Sequence, residues 1–256
     1  MRTYLKRFVL MLQFLTTIPV RADIKAERED FGKGLAVAPA VGLVIGILLA
    51  GGNYLLGLLF PAGVAAVLTV ALYIALTGGL HLDGLGDTAD GFLSHRPKEK
   101  VLEIMKDSRV GSNAVIAVVL VLLTNISVIS SLGGHAAVIL LLMPVAGRIG
   151  SLIGSGASRY AGVSDGPGRW CVECCGRKDI LLGLMIYFIL FAAAFAVAFR
   201  GGSLPACVAA AVIPPISAYL LARLLGRKLG GVTGDILGAV CELNQVIFLL
   251  SASLLF

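Results

Sequence analysis

Residues 180–199 read ILLGLMIYFILFAAAFAVAF, twenty positions without a charge. A membrane-spanning helix needs about 20 mostly apolar residues, whereas a spanning barrel strand alternates apolar and polar positions over roughly ten. Nothing in this stretch alternates, so it reads as helix. Six others read the same way: 34–60, 61–80, 112–132, 135–155, 203–222 and 235–256. The 256-residue chain is 58% hydrophobic and only 14% charged. Its mean hydropathy is +0.95. Soluble domains run near 45–50% apolar and about 25% charged. The expectation is an all-α, polytopic integral membrane helical bundle with about seven transmembrane helices. Residues 1–256 show no linker, low-complexity tract or internal repeat, so they read as a single membrane domain.

The start, MRTYLKRFVLMLQFLTTIPV (1–20), has a basic beginning and an apolar middle. No small-residue cleavage site follows, and its apolar run 8–20 is short. It reads as an interfacial helix with Lys6 and Arg7 at the headgroups. Charge then sets the predicted orientation. Residues 1–33 carry seven Lys and Arg, 81–111 five, 156–179 four and 223–234 three. Only Arg148, inside a span, and Arg200, in an opposite loop, fall elsewhere. Positive residues stay cytoplasmic. Seven spans therefore place 1–33 as a cytoplasmic N-terminal interfacial segment, with the C-terminus outside. The net charge of +6 belongs to these loops. A nucleic-acid partner would need a soluble basic face, which is lacking; the bilayer is the expected partner.

Against that background, GGLHLDGLGDTADGF (78–92) stands out. As helix, it puts Asp83, Asp87 and Asp90 on one face and His81 roughly opposite. Three carboxylates on one face repel unless a cation sits between them. Oxygen ligands suit Mg²⁺, Mn²⁺ or Ca²⁺. Gly84, Gly86 and Gly91 remove side chains beside the carboxylates, which reads as room for a bulky ligand. In MKDSRVG (105–111), Lys106 and Arg109 flank Asp107 and Ser108, a combination that fits a pyrophosphate as well as an ordinary basic loop. In GGVTGDILGAVCELNQ (230–245), Thr233 or Asp235 opens the last span as N-cap or meets a phosphate at the helix start. Glu242 lies seven residues on, on the same face as Asp235.

These three stretches, with QFLTTIPV (13–20), resemble the signatures of the cobalamin synthase family, also called adenosylcobinamide-GDP ribazoletransferases. The resemblance runs from residue 13 to about 245. It implies a magnesium-dependent enzyme of the cell membrane, with its active site on the cytoplasmic side. Such an enzyme transfers the cobinamide-phosphate moiety of adenosylcobinamide-GDP to α-ribazole or α-ribazole 5′-phosphate. Adenosylcobalamin or its phosphate and GMP result, late in vitamin B12 biosynthesis. In that chemistry Asp83, Asp87 and Asp90 hold the metal. Lys106, Ser108, Arg109 and Arg148 hold phosphate oxygens, and His81, Thr233, Asp235 and Glu242 contribute to substrate binding. Asp107 is the first candidate for the base that takes the acceptor's proton, and Asp90 the second. Arg148 reads equally as an arginine snorkelling to the headgroups. A homo-oligomer stays open.

Two alternatives remain. The spacing D-x3-D-x2-D is similar to that of CDP-alcohol phosphotransferases, but the Ala-Arg pair of their motif is missing. A cation-coupled transporter also carries intramembrane acids, but nearer the bilayer midplane. CVECC (171–175) offers Cys171, Cys174 and Cys175 without a nearby fourth zinc ligand. Cytoplasmic thiols there should be reduced.

Overall fold

The computed structural model describes residues 2–198 and 203–256; Met1, Phe199, Arg200, Gly201 and Gly202 lie outside them. The chain forms twelve α-helices among the described residues: α1 Arg2–Leu15, α2 Arg28–Gly34, α3 Ala38–Gly57, α4 Ala62–Thr77, α5 Leu80–Leu93, α6 Lys98–Ile104, α7 Ser112–Ser131, α8 Ala136–Gly156, α9 Pro167–Glu173, α10 Arg177–Ala198, α11 Leu204–Leu229 and α12 Gly234–Leu255. A single parallel bridge, Tyr160 to Val232, is the one β-type pairing among them.

Six helices are long and apolar enough to span a membrane: α2–α3 as one unit, α7, α8, α10, α11 and α12. The α4–α5 pair makes a seventh if counted as one broken span. Helix α8 is the hub, packed by α3, α10, α11 and α12. Its residues are buried from Leu142 to Ser155, while α7, α10 and α11 keep many apolar side chains on the outer surface. That is the distribution expected where lipid is the solvent for the outside.

The expected span 61–80 is corrected at its end. It stops at Thr77, and α5 leaves at 93° to α4. Two consecutive glycines make the corner: Gly78 and Gly79 have φ of 63° and 71°, a left-handed region costly for other residues. With α4 upright, α5 lies in the membrane plane, outside the spanning direction. The corner leaves carbonyls of α4 unpaired, and the N-terminal segment satisfies them. Thr17 donates its backbone N–H to Leu76 O (2.8 Å) and its hydroxyl to Ala75 O (2.7 Å).

Helix α1 buries Leu10, Met11 and Leu15. It is joined to α2 by Lys6 and Arg7, which reach Asp30 at 2.6 and 3.4 Å. Arg28 continues the strap to Asp165 (2.7 Å), whose other oxygen accepts from Trp170 Nε1 (2.8 Å).

Candidate active site

Helices α5 and α12 touch at two glycines. A methyl group at Gly84 would meet the backbone of Asp235 at 2.8 Å, and one at Gly238 would meet that of His81 at 3.2 Å. Gly84 and Gly91 serve packing, which corrects the reading of open space there, while Gly86 also lines a cavity beside Asp87. A methyl at Gly86 would touch Ala114 at 3.3 Å, and one at Gly91 would strike Met105 at 2.6 Å. The close approach carries Asp83 and Asp87 of α5 up to Asp235 of α12.

Asp83 and Asp235 line one cavity of about 320 Å³. Asp235 also lines a second, of about 310 Å³, with Lys106, Thr233, Tyr160 and Arg169. Asp83 and Asp87 line a third, of about 710 Å³, over Gly78, Gly79 and Ala114. Asp235 is a wall common to the first two and Asp83 to the first and third, so the three lie side by side, together called the groove below. Burial, then the charges of Asp83, Asp235 and Asp90, push the Asp87 carboxyl up to about 7. The groove carries more negative charge than its own cations offset. A hard divalent cation, bound through carboxylate oxygens and phosphates, suits such a donor set.

Thr233 is the N-cap of α12, its hydroxyl accepting from Ile236 N at 3.2 Å. Asp235 is the second residue of the helix, within its first turn, and is half-buried at the groove. Gly234 and Asp235 occupy the helix start, where backbone N–H groups lack intrahelical partners.

Asp90, Asp107, Ser108 and Arg109 lie apart from the groove. Asp90 accepts from Gly111 N (2.7 Å) and Ala114 N (2.9 Å), one bond to each oxygen. It caps α7 from a distance. Asp107 is held by Arg109 (2.6 Å), whose guanidinium and backbone N–H keep its carboxyl down at about 2. A base works best with a pKa near the operating pH, so Asp107 is unsuited to that role. Ser108 and Arg109 are exposed, and of this motif Lys106 is the charged residue that lines the groove, with Met105 and Val110.

Arg148 and Glu242 form a second centre, inside the bundle. Both are buried, at 0% and 1% exposure. Tyr73 joins them: its hydroxyl donates to Glu242 Oε1 (2.5 Å) and accepts from Arg148 Nη1 (3.4 Å) and Gln245 Nε2 (2.8 Å). Asn244 donates to Ala146 O (2.5 Å) and accepts from Ser217 (2.5 Å). Arg148 therefore does not snorkel. His81, near the start of α5, lines the groove's cavity of about 320 Å³ and also borders this interior. Ligand atoms of His81, Cys241 and Glu242 lie within 4.8 Å of one another. Arg148 Nη1 is 3.4 Å from Cys241 Sγ, so the guanidinium already supplies the cation there. Sequence reading missed Tyr73, Asn244 and Gln245, although polar side chains within apolar spans are the signal for such a centre.

Cys171 and Cys175 are buried on and beside α9. Burial pushes both thiols up to about 12, against the thiolate a zinc site requires. They pack where α9 meets α2.

A sequence model of the family described as cobalamin-5-phosphate synthase matches residues 7–253. Among curated proteins, the adenosylcobinamide-GDP ribazoletransferase of Acetivibrio thermocellus is 55% identical over 189 residues, covering 73% of this chain and 76% of that protein. The protein of the same name from Clostridium acetobutylicum is 43% identical over 249 residues, covering 97% and 96%. That from Alkaliphilus metalliredigens is 44% identical over 189 residues, covering 73% and 75%. No solved structure matches.

Proposed function

Because this chain belongs to the cobalamin-5-phosphate synthase family, we propose that it is an adenosylcobinamide-GDP ribazoletransferase of cobalamin biosynthesis. The observation that carries the reading beyond the match itself is the groove. Residues 78–92, 105–111 and 230–245, far apart in sequence, each contribute to its walls through Asp83 and Asp87, Lys106, and Asp235.

The acceptor is α-ribazole or its 5′-phosphate. Its hydroxyl oxygen bonds to the phosphorus that carries cobinamide, and the bond from that phosphorus to GMP breaks. Such transfers depend mainly on positioning and charge stabilisation. Asp83, Asp87 and Asp235 are the residues that would hold magnesium. Bound there, the ion supplies charge neutralisation on the diphosphate and the departing GMP. Lys106 draws phosphate oxygens to the far wall, and the N–H groups at the start of α12 face the same cavity. Asp90 acts by fixing the start of α7 against α5. The acceptor's proton goes to a groove carboxylate, in place of the paired Asp107.

The loops bearing most Lys and Arg lie at the groove's end of the bundle, which supports a cytoplasmic groove in the cell membrane. The test is product analysis with purified protein, Mg²⁺, adenosylcobinamide-GDP and α-ribazole. Formation of adenosylcobalamin and GMP is expected. A well-folded preparation yielding neither would overturn the assignment.

A further inference from the structure

Beside the acidic groove lies a basic cleft that the proposed chemistry does not use. It measures about 620 Å³ and is lined by Arg159, Arg223 and Arg227, with Ser158, Gly226 and Gly231 between them. No carboxylate lines it. Some cations of the same end are matched elsewhere, Arg28 to Asp165, Arg109 to Asp107 and Arg169 to Glu173, whereas Lys98 lies beside Gly230 at the edge of the cleft. Lys228 donates to Phe92 O (3.4 Å) and lies over the Phe92 ring. Arg159, Arg223 and Arg227 have no ion-pair partner among the described residues.

Their convergence is built into the backbone. Residues 159–161 run alongside 232, with Val232 N donating to Arg159 O (2.8 Å) and Ala161 N to Val232 O (2.9 Å). Gly231 permits that approach, since a methyl there would collide with Arg159 O. This pairing is the partition between two sites: Tyr160 faces the acidic groove, and Arg159 faces the basic cleft. Arg223 and Arg227 stand one turn apart on α11, where like charges repel by a few tenths of a kcal/mol. A favourable helix end accounts for a cation in the last turn, but not for a third arginine brought across from another segment. Arg223 lies about 28 Å along α11 from Leu204, close to the thickness of the hydrocarbon core. The cleft therefore sits at headgroup depth.

We propose that this cleft is an anion site that takes a phosphate group at headgroup depth, gripped by Arg159, Arg223 and Arg227. Guanidinium forks match phosphate oxygens in pairs, and basic pockets between spanning helices recognise lipid phosphates. The phosphate belongs to an anionic phospholipid or to a soluble phosphate compound, and the experiment separates the two.

Thermal unfolding is followed for wild type, Arg223→Gln/Arg227→Gln and Arg223→Lys/Arg227→Lys. One arm compares nanodiscs of phosphatidylglycerol with nanodiscs of phosphatidylcholine. The other titrates inorganic phosphate against chloride at matched ionic strength in detergent. A midpoint rise of a few degrees in phosphatidylglycerol, absent in the Gln variant and reduced in the Lys variant, supports the site with lipid as source. A saturable rise with phosphate, absent in the Gln variant and reduced in the Lys variant, supports it with a soluble source. The Lys variant keeps the charge and guards against misfolding of the Gln variant. No anion-dependent rise in wild type, or an equal rise in both variants, overturns the proposal.

Discussion

The molecule holds its charge in two contrasting ways. At one end of the bundle, Asp83, Asp87 and Asp235 crowd a groove with too little positive charge. A turn or two deeper, Arg148 and Glu242 are more thoroughly buried and yet compensated, joined through the Tyr73 hydroxyl. A buried charge without a counter-charge is costly. The inner centre balances its charge within the protein, although Arg148 Nε and Nη2, Glu242 Oε2 and Gln245 Oε1 are left without a hydrogen bond among the described residues, whereas the groove balances its charge only when something binds. The proposed chemistry therefore uses the groove. The inner network has the task of locking together α4, α8 and α12, two of which run directly to the groove's walls.

The largest expected effect comes from breaking the inner balance. Arg148→Met leaves Glu242 buried without its cation and should cost about 3–5 kcal/mol of stability. The double variant Arg148→Met/Glu242→Gln should recover much of the loss, as read by thermal unfolding in detergent. If the double variant is no more stable than the single, the two residues are not coupled.

Groove acids should behave the other way round. Asp83→Asn and Asp235→Asn should lower turnover about 100-fold or more while leaving the unfolding midpoint near that of wild type. A large fall in the midpoint with little change in turnover would move these residues into the structural class.

Asp90 sharpens the comparison, because it lies on α5 with the groove acids but spends both oxygens on α7. Asp90→Ala should cost about 1 kcal/mol of stability, the usual value of a lost helix cap. Its turnover should fall by no more than that loosening of α7 explains. A turnover loss as deep as that of Asp83→Asn, with an unchanged midpoint, would return Asp90 to the metal ligands.

Asp107→Asn should have the smallest effect. Its pair with Arg109 is a surface one, and neither turnover nor the unfolding midpoint should change measurably. Collapse of turnover alone would restore Asp107 as the base.

Much of this was readable beforehand. Long charge-free runs gave the spans because a helix in lipid must be apolar all round, and the three polar motifs identified the walls of the groove. What stayed hidden was depth and direction. Asp235 and Glu242 share a helix face, but seven residues separate them by about 10 Å along the axis. Glu242 thus belongs to the interior rather than the groove. The turn at Gly78 and Gly79 could be suspected from the glycines, but its 93° bend depends on tertiary support from Thr17. Gly84, Gly86 and Gly91 read as vacancies because a sequence does not show which neighbouring atoms press against a glycine.

The most direct test of a groove built to bind a cation is equilibrium binding of Mn²⁺, a paramagnetic stand-in for Mg²⁺, to purified protein. The proteins compared are wild type, Asp83→Asn/Asp235→Asn and Arg148→Met/Glu242→Gln, each checked for folding. The account predicts binding by wild type and by the inner double variant, and its loss in the groove double variant. Binding that survives in the groove variant and disappears from the inner one would contradict it, and would move the cation site to the interior.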